Sequence, residues 1–210
     1  MRSFKHWSIR YIVNRLNEIL YQIMHPDHPW FTKQAVAILS SFLKPEHVGL
    51  EFGSGKSTVW FAQRVCSLTS VEDNQHYFNL VKKKLEEKSL HNVNLIYFNR
   101  TDYLPDEQVN SFLRLFDRFQ KNSLDFILVD GFWRAGCASL GGQYIRPGGI
   151  LVLDNANWYL PHQTFSPSSR SLEDGPTNEQ WARFLQEVKG WRCIWTSSGV
   201  SDTAIYIKPC

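Results

Sequence analysis

The stretch Val48-Gly-Leu-Glu-Phe-Gly-Ser-Gly-Lys-Ser-Thr58 constrains this chain more than any other. It starts as a short apolar strand, reaches an acid at Glu51, breaks into Gly53-Ser54-Gly55 and runs at once into a helical pattern from Lys56 to about Val65. Glycines between a strand and a helix let the backbone turn tightly and let a ligand lie against bare main chain.

Three nucleotide-binding designs begin this way. A phosphate loop needs a glycine where Leu50 stands, and Glu51 would repel phosphate. A dinucleotide fingerprint G-x-G-x-x-G needs its third glycine at Thr58. A site for S-adenosylmethionine tolerates Glu51, because that ligand carries an ammonium group and little negative charge. Glu51 favours the third design.

Downstream, apolar strands alternate with helices. The pattern predicts strands at 68–73, 94–98, 125–130 and 150–153, with helices at 74–90, 106–121 and 134–145. Arg146-Pro-Gly-Gly149 reads as a turn. Thr177 and Gln180 suggest a capping box opening a helix to about Lys189. Segments 192–196 and 203–208, joined through Gly199 and Asp202, read as a β-hairpin. Alternation of this kind implies an α/β fold with a parallel sheet covered on both faces. Glu51, Glu72, Asp130 and Asp154 each close a strand, and such sheets bind ligands beyond those ends. Glu72 falls one strand–helix–strand step after Glu51, where a carboxylate can accept from a ribose diol.

With these motifs in place, residues 47–208 resemble the class I S-adenosylmethionine-dependent methyltransferases, small O-methyltransferases among them. GLEFGSGKST is similar to the family's first motif, SVED to its second, DFILVDG to its fourth and RPGGILVLDN to the motif at strand five. The resemblance implies a Rossmann-like seven-stranded mixed sheet of order 3-2-1-4-5-7-6, strand 7 antiparallel, with helices on both faces. It places Gly53, Ser54, Gly55 and Ser57 against the methionine portion, with Glu51 at the ammonium group. Glu72 falls on the ribose, Asp73 and Asp102 near the adenine, and Asp130 between the cofactor and the acceptor. S-adenosyl-L-homocysteine is the implied product. Asp130 with Asp154-Asn155 also resembles the metal trio of catechol O-methyltransferases. The lysine that follows the first aspartate there is absent, since Gly131-Phe-Trp-Arg134 takes its place. No divalent metal is therefore expected, and Asp130 and Asp154 are expected to serve as catalytic carboxylates.

The acceptor is the least legible partner. A long segment, 156–176, carries Trp158, Tyr159, His162 and Arg170, and reads as a mobile lid suited to a planar or sugar ring. His162 is its candidate base. Residues 1–45 read as a helical extension packed on a core domain of residues 46–210. Its first helix, 5–24, repeats Ile9, Ile12, Val13, Leu16, Ile19, Leu20 and Ile23 at helical spacing, suiting the domain, a second subunit or an anionic membrane surface. Between 25 and 30, two prolines break the helix in a segment able to overhang a pocket.

The formal charge of +3 does not argue for nucleic acid, so a small-molecule acceptor is expected. Cys66, Cys137, Cys193 and Cys210 lie far apart, which fits a reducing cytoplasm. No apolar run reaches the ~20 residues of a membrane span. Two other functions share these motifs: a catalytically silent cofactor-binding scaffold, and a nicotinamide-dependent oxidoreductase, which Thr58 and the terminal hairpin oppose.

Overall fold

The computed structural model describes residues 8–103 and 105–210. A seven-stranded sheet in the order β3-β2-β1-β4-β5-β7-β6 forms its centre. Five strands run parallel: β1 (Val48–Phe52), β2 (Ser67–Glu72), β3 (Val93–Tyr97), β4 (Leu124–Val129) and β5 (Ile145–Asp154). The hairpin of β6 (Arg192–Ser197) and β7 (Asp202–Ile207) adds its last strand antiparallel to β5. That order and that reversal are the ones the motifs imply.

Alternation along each strand feeds two cores. Ile127 and Val129 of β4 point with Leu50, Phe52, Leu151 and Leu153 toward one face. There α5 (Pro105–Leu113), α6 (Arg134–Gly141) and α7 (Glu179–Glu187) cover the sheet. Phe126 and Leu128 point the other way, onto α2 (Lys33–Phe42) and α3 (Lys56–Ala62), and Phe61 stacks on Phe126 at 4.7 Å. Burial of this apolar set, at about 25 cal/mol per Å², is the main force holding the layers together. The helix α4 (Gln75–Glu87) flanks α3 through Val81 and Leu85.

Four local expectations change. The helix expected over 106–121 ends at Leu113 and tightens into a 3-10 run, Arg114–Arg118. The tighter turn lets the adjacent Leu115 and Phe116 both reach the core. The helix expected to reach Ile145 stops at Gly141, and β5 starts at Ile145. The expected turn at 146–149 is therefore an irregularity inside β5, where pairing with β4 shifts register. Asn178 rather than Thr177 caps α7, because the Thr177 hydroxyl donates instead to the Trp158 and Tyr159 carbonyls.

The first helix, α1 (Ile9–Met24), is capped by Ser8 and buries none of its residues. The sequence places its start at residue 5, and residues 5–7 lie outside the described set. α1 rests its polar side on the tip of the β6–β7 hairpin, where Ser198 Oγ donates to Glu18 and Asn14 lies against Gly199. Its apolar side faces outward.

Candidate functional site

Past β1 the backbone turns at Gly53 with φ +97°. A Cβ there would stand 2.7 Å from Gly131 N, and a Cβ on Gly131 would stand 2.7 Å from Gly53 N. The tails of β1 and β4 thus meet main chain to main chain, which only glycine permits at this φ. They floor a cavity of about 320 Å³ whose walls include Ser54, Gly55, Ser57 and Glu72. From α4 come Tyr77, Leu80 and Lys84, and from the segment before α2 come Trp30 and Phe31.

Glu51 sits behind this loop, fully buried. Ser57 Oγ donates to its Oε1, while Thr58 Oγ1 and Ser70 Oγ donate to its Oε2. Burial pushes its pKa up to about 7 against the opposing pull of the three hydroxyls. Glu51 is absent from the cavity wall, so it ties the loop to β2 and α3, and Ser57 is the group between it and the cavity. Glu72 reaches the wall itself. The amides of Ser54 and Asn74 donate to its two oxygens, each at 2.8 Å. A carboxylate has about four lone-pair sites, so capacity remains for a ligand.

At the ends of β4 and β5 the organising group is Arg134, at the start of α6. Its Nη2 donates to the Asp130 carbonyl and carboxylate, and its Nη1 to the Asp154 carbonyl (2.6 Å) and Asn155 Oδ1 (3.3 Å). Asp154 is buried and accepts from Thr203 Oγ1. Burial raises its pKa, and the neighbouring Asp130 charge raises it further. The Asp130 pKa is also raised by burial, with Arg134 pulling it back. Two left-handed residues, Trp133 (φ 53°) and Asn155 (φ 50°), flank this cluster. Backbone strain of that kind gathers at functional sites.

A second cavity, of about 650 Å³, opens here. Asp154, Asn155 and Trp158 form one wall, Val200 and Ser201 of the hairpin tip another, and Tyr11, Arg15 and Gln22 of α1 a third. Trp30 and Asp130 line both cavities and so form the partition between them.

The other expected residues lie elsewhere. Asp73 accepts from Arg100 Nε at 2.9 Å, and Asp102 is exposed and accepts from Asn99. Neither lines either of these two cavities. His162 stacks flat on Trp195 at 4.3 Å, beside the hairpin and away from both cavities. The segment that carries it is pinned rather than loose. Buried Asn157 bridges the Pro167 carbonyl and the Asp202 amide, and Ser166 donates to buried Asp202. Sequence reasoning missed Arg134 and Tyr77 as site residues, and reached Trp30 only as the end of a segment able to overhang a pocket. Arg134 had a signal, its position four residues after Asp130 at a helix start.

No family model and no curated protein matches the chain. Solved structures do. A methyltransferase-like protein from Silicibacter pomeroyi matches with a TM-score of 0.57 at 18% identity, over 87% of this chain and 89% of that one. An S-adenosylmethionine-dependent methyltransferase from Aquifex aeolicus matches at 0.51 and 13% identity, over 89% and 96%. An rRNA methylase from Streptococcus thermophilus matches at 0.54 and 10% identity, over 83% and 93%. The fold is that of the S-adenosylmethionine-dependent methyltransferases. In this methyltransferase fold the smaller cavity lies beyond the carboxyl ends of β1 and β2, beside the point where strand order reverses.

Proposed function

We propose that the chain moves a methyl group from S-adenosylmethionine in the smaller cavity to a hydroxyl of a small acceptor in the larger one. The observation that carries this reading is the shared partition: Trp30 and Asp130 border both cavities, so a group at that wall can be reached from either side. When bound, S-adenosylmethionine supplies an electrophilic methyl on a sulfonium, and displacement there is in line. Alignment and exclusion of water supply much of the rate.

Each residue then has a task. The free lone pairs of Glu72 take the ribose hydroxyls, and Ser54, Gly55 and Ser57 face the methionine portion. Glu51 holds that loop through Ser57 and Thr58. Asp154 receives the acceptor's hydroxyl proton as the new carbon–oxygen bond forms, and the methyl's bond to sulfur breaks. Its raised pKa brings it toward neutrality, where a general base works best. Within the extension, Tyr11, Arg15, Gln22 and Trp30 complete the acceptor wall.

A divalent metal does not fit the trio. Asp130 Oδ1 and Asn155 Oδ1 already accept from Arg134, whose guanidinium supplies the positive charge between the two strand ends. No step is assigned to a metal. The structural neighbours include an rRNA methylase, so the fold alone leaves the acceptor open. The small net charge supports a small molecule over RNA.

Incubation with methyl-labelled S-adenosylmethionine and a panel of phenols, catechols and sugars, with EDTA present, tests the proposal. Labelled ether product is expected. Tight S-adenosylhomocysteine binding with no labelled product across the panel would favour a silent binding module.

A further inference from the structure

We propose that α1 docks the protein on an anionic lipid surface and so presents the larger cavity to acceptors carried on amphiphiles; the acceptor part rests on the methyltransferase reading above. The helix is inside out. Ile9, Val13, Leu16, Leu20 and Ile23 form one stripe, exposed by 41% or more as are the other large apolar residues of α1. The better-covered side is polar: Asn14 and Glu18 meet the hairpin tip, and Tyr11 and Gln22 line the acceptor cavity. An amphipathic helix on a soluble domain normally turns its apolar stripe inward. This one spends its polar side on the protein, so the apolar stripe needs another apolar phase.

Charge selects a lipid surface for that phase. Arg10 and Arg15 are exposed on the two flanks of the stripe, and Glu18, the one acid of α1, already accepts from Arg15 and Ser198. Basic residues beside an outward apolar stripe are what binding to anionic headgroups requires. Exposed rings surround the same helix. Trp30 (61% exposed) and Trp158 line the cavity that α1 walls, and Phe165 lies under the Arg10 guanidinium at 4.0 Å. Aromatic residues of this kind settle at headgroup level. With α1 lying in the interface, Trp30 and Trp158 bring the cavity mouth to the headgroups.

Flotation of the full chain with vesicles tests the docking. Wild type should float with phosphatidylcholine vesicles containing phosphatidylglycerol, less so in high salt, and hardly with phosphatidylcholine alone. Leu16→Glu with Leu20→Glu should lower the partition coefficient by at least about tenfold. Both positions are exposed, so melting temperature and S-adenosylhomocysteine affinity should not change, which separates this claim from the methyltransferase reading. Equal flotation of the variant would overturn the proposal. So would absence of flotation, and a wild-type dimer that the variant dissolves would then assign the stripe to a second copy. Brominated phosphatidylglycerol should quench wild-type tryptophan more than the Trp30→Phe/Trp158→Phe variant. Equal quenching would turn the cavity away from the membrane and overturn the acceptor part.

Discussion

Arg134 donates from one nitrogen, Nη2, to both the carboxylate (2.7 Å) and the main-chain carbonyl (2.6 Å) of Asp130. The same guanidinium reaches the end of β5, so one cation from α6 locks the ends of two neighbouring strands. Arg134→Met should leave Asp130 and Asp154 without their cation. The expected loss is about 2–3 kcal/mol in urea unfolding, since Asp130 is partly solvated and falls short of a fully buried pair. Wild-type turnover should survive EDTA. Activity that stops with EDTA and returns with magnesium would contradict this account of the trio.

Gly53→Ala tests the floor of the smaller cavity. A Cβ there has the wrong φ and meets the Gly131 backbone, which cannot swing aside. A cost of about 1–3 kcal/mol in stability is expected, together with loss of S-adenosylhomocysteine binding. Gly55→Ala is the control for stability, because its Cβ would meet nothing closer than Ser57 Oγ at 3.9 Å.

Glu51 makes a pH prediction. Its folded pKa is about 7 against an ordinary 4.5, so between those values the folded state holds more proton than the unfolded. Stability should then fall as pH rises through that window and level off above it, by ~3 kcal/mol at most. Glu51→Gln is neutral throughout, and the Ser57, Thr58 and Ser70 hydroxyls can turn to suit an amide. Unfolding of both proteins from pH 4 to 8 should show the variant gaining on wild type as pH rises. A constant difference would place Glu51 among ordinary ionised carboxylates.

Much of this was legible beforehand because it lies where strands end. The carboxylates Glu51, Glu72, Asp130 and Asp154 punctuate apolar runs, and those runs set the parallel order. The hairpin at 192–208 distinguishes the sheet from an all-parallel one. What stayed hidden depends on side chains that cross between elements. Arg134 bridges two strands from a helix, and Trp30 reaches the site from the segment before α2. The stacking of His162 on Trp195 was hidden because a segment without periodicity does not show which ring its side chains meet. The periodicity of α1 identified an apolar stripe but not its direction, and packing of Asn14 and Glu18 on the hairpin turned it outward.

The segment expected to be a mobile lid should resist cleavage near its root. Asn157→Ala removes partners from the Pro167 carbonyl and the Asp202 amide, a cost of about 1–3 kcal/mol for buried groups. Limited proteolysis should cut the variant within 156–176 well before wild type. Equal rates would mean Asn157 does not hold the segment.

The smaller cavity carries the central claim, and calorimetric titration of one protein sample with S-adenosylhomocysteine, NAD and ATP tests it most directly. S-adenosylhomocysteine should bind, NAD and ATP should not, and Glu72→Ala should weaken binding by about 1–3 kcal/mol by leaving ribose hydroxyls unpaired. Absence of heat with S-adenosylhomocysteine, tighter binding of NAD, or an unchanged affinity in Glu72→Ala would contradict it.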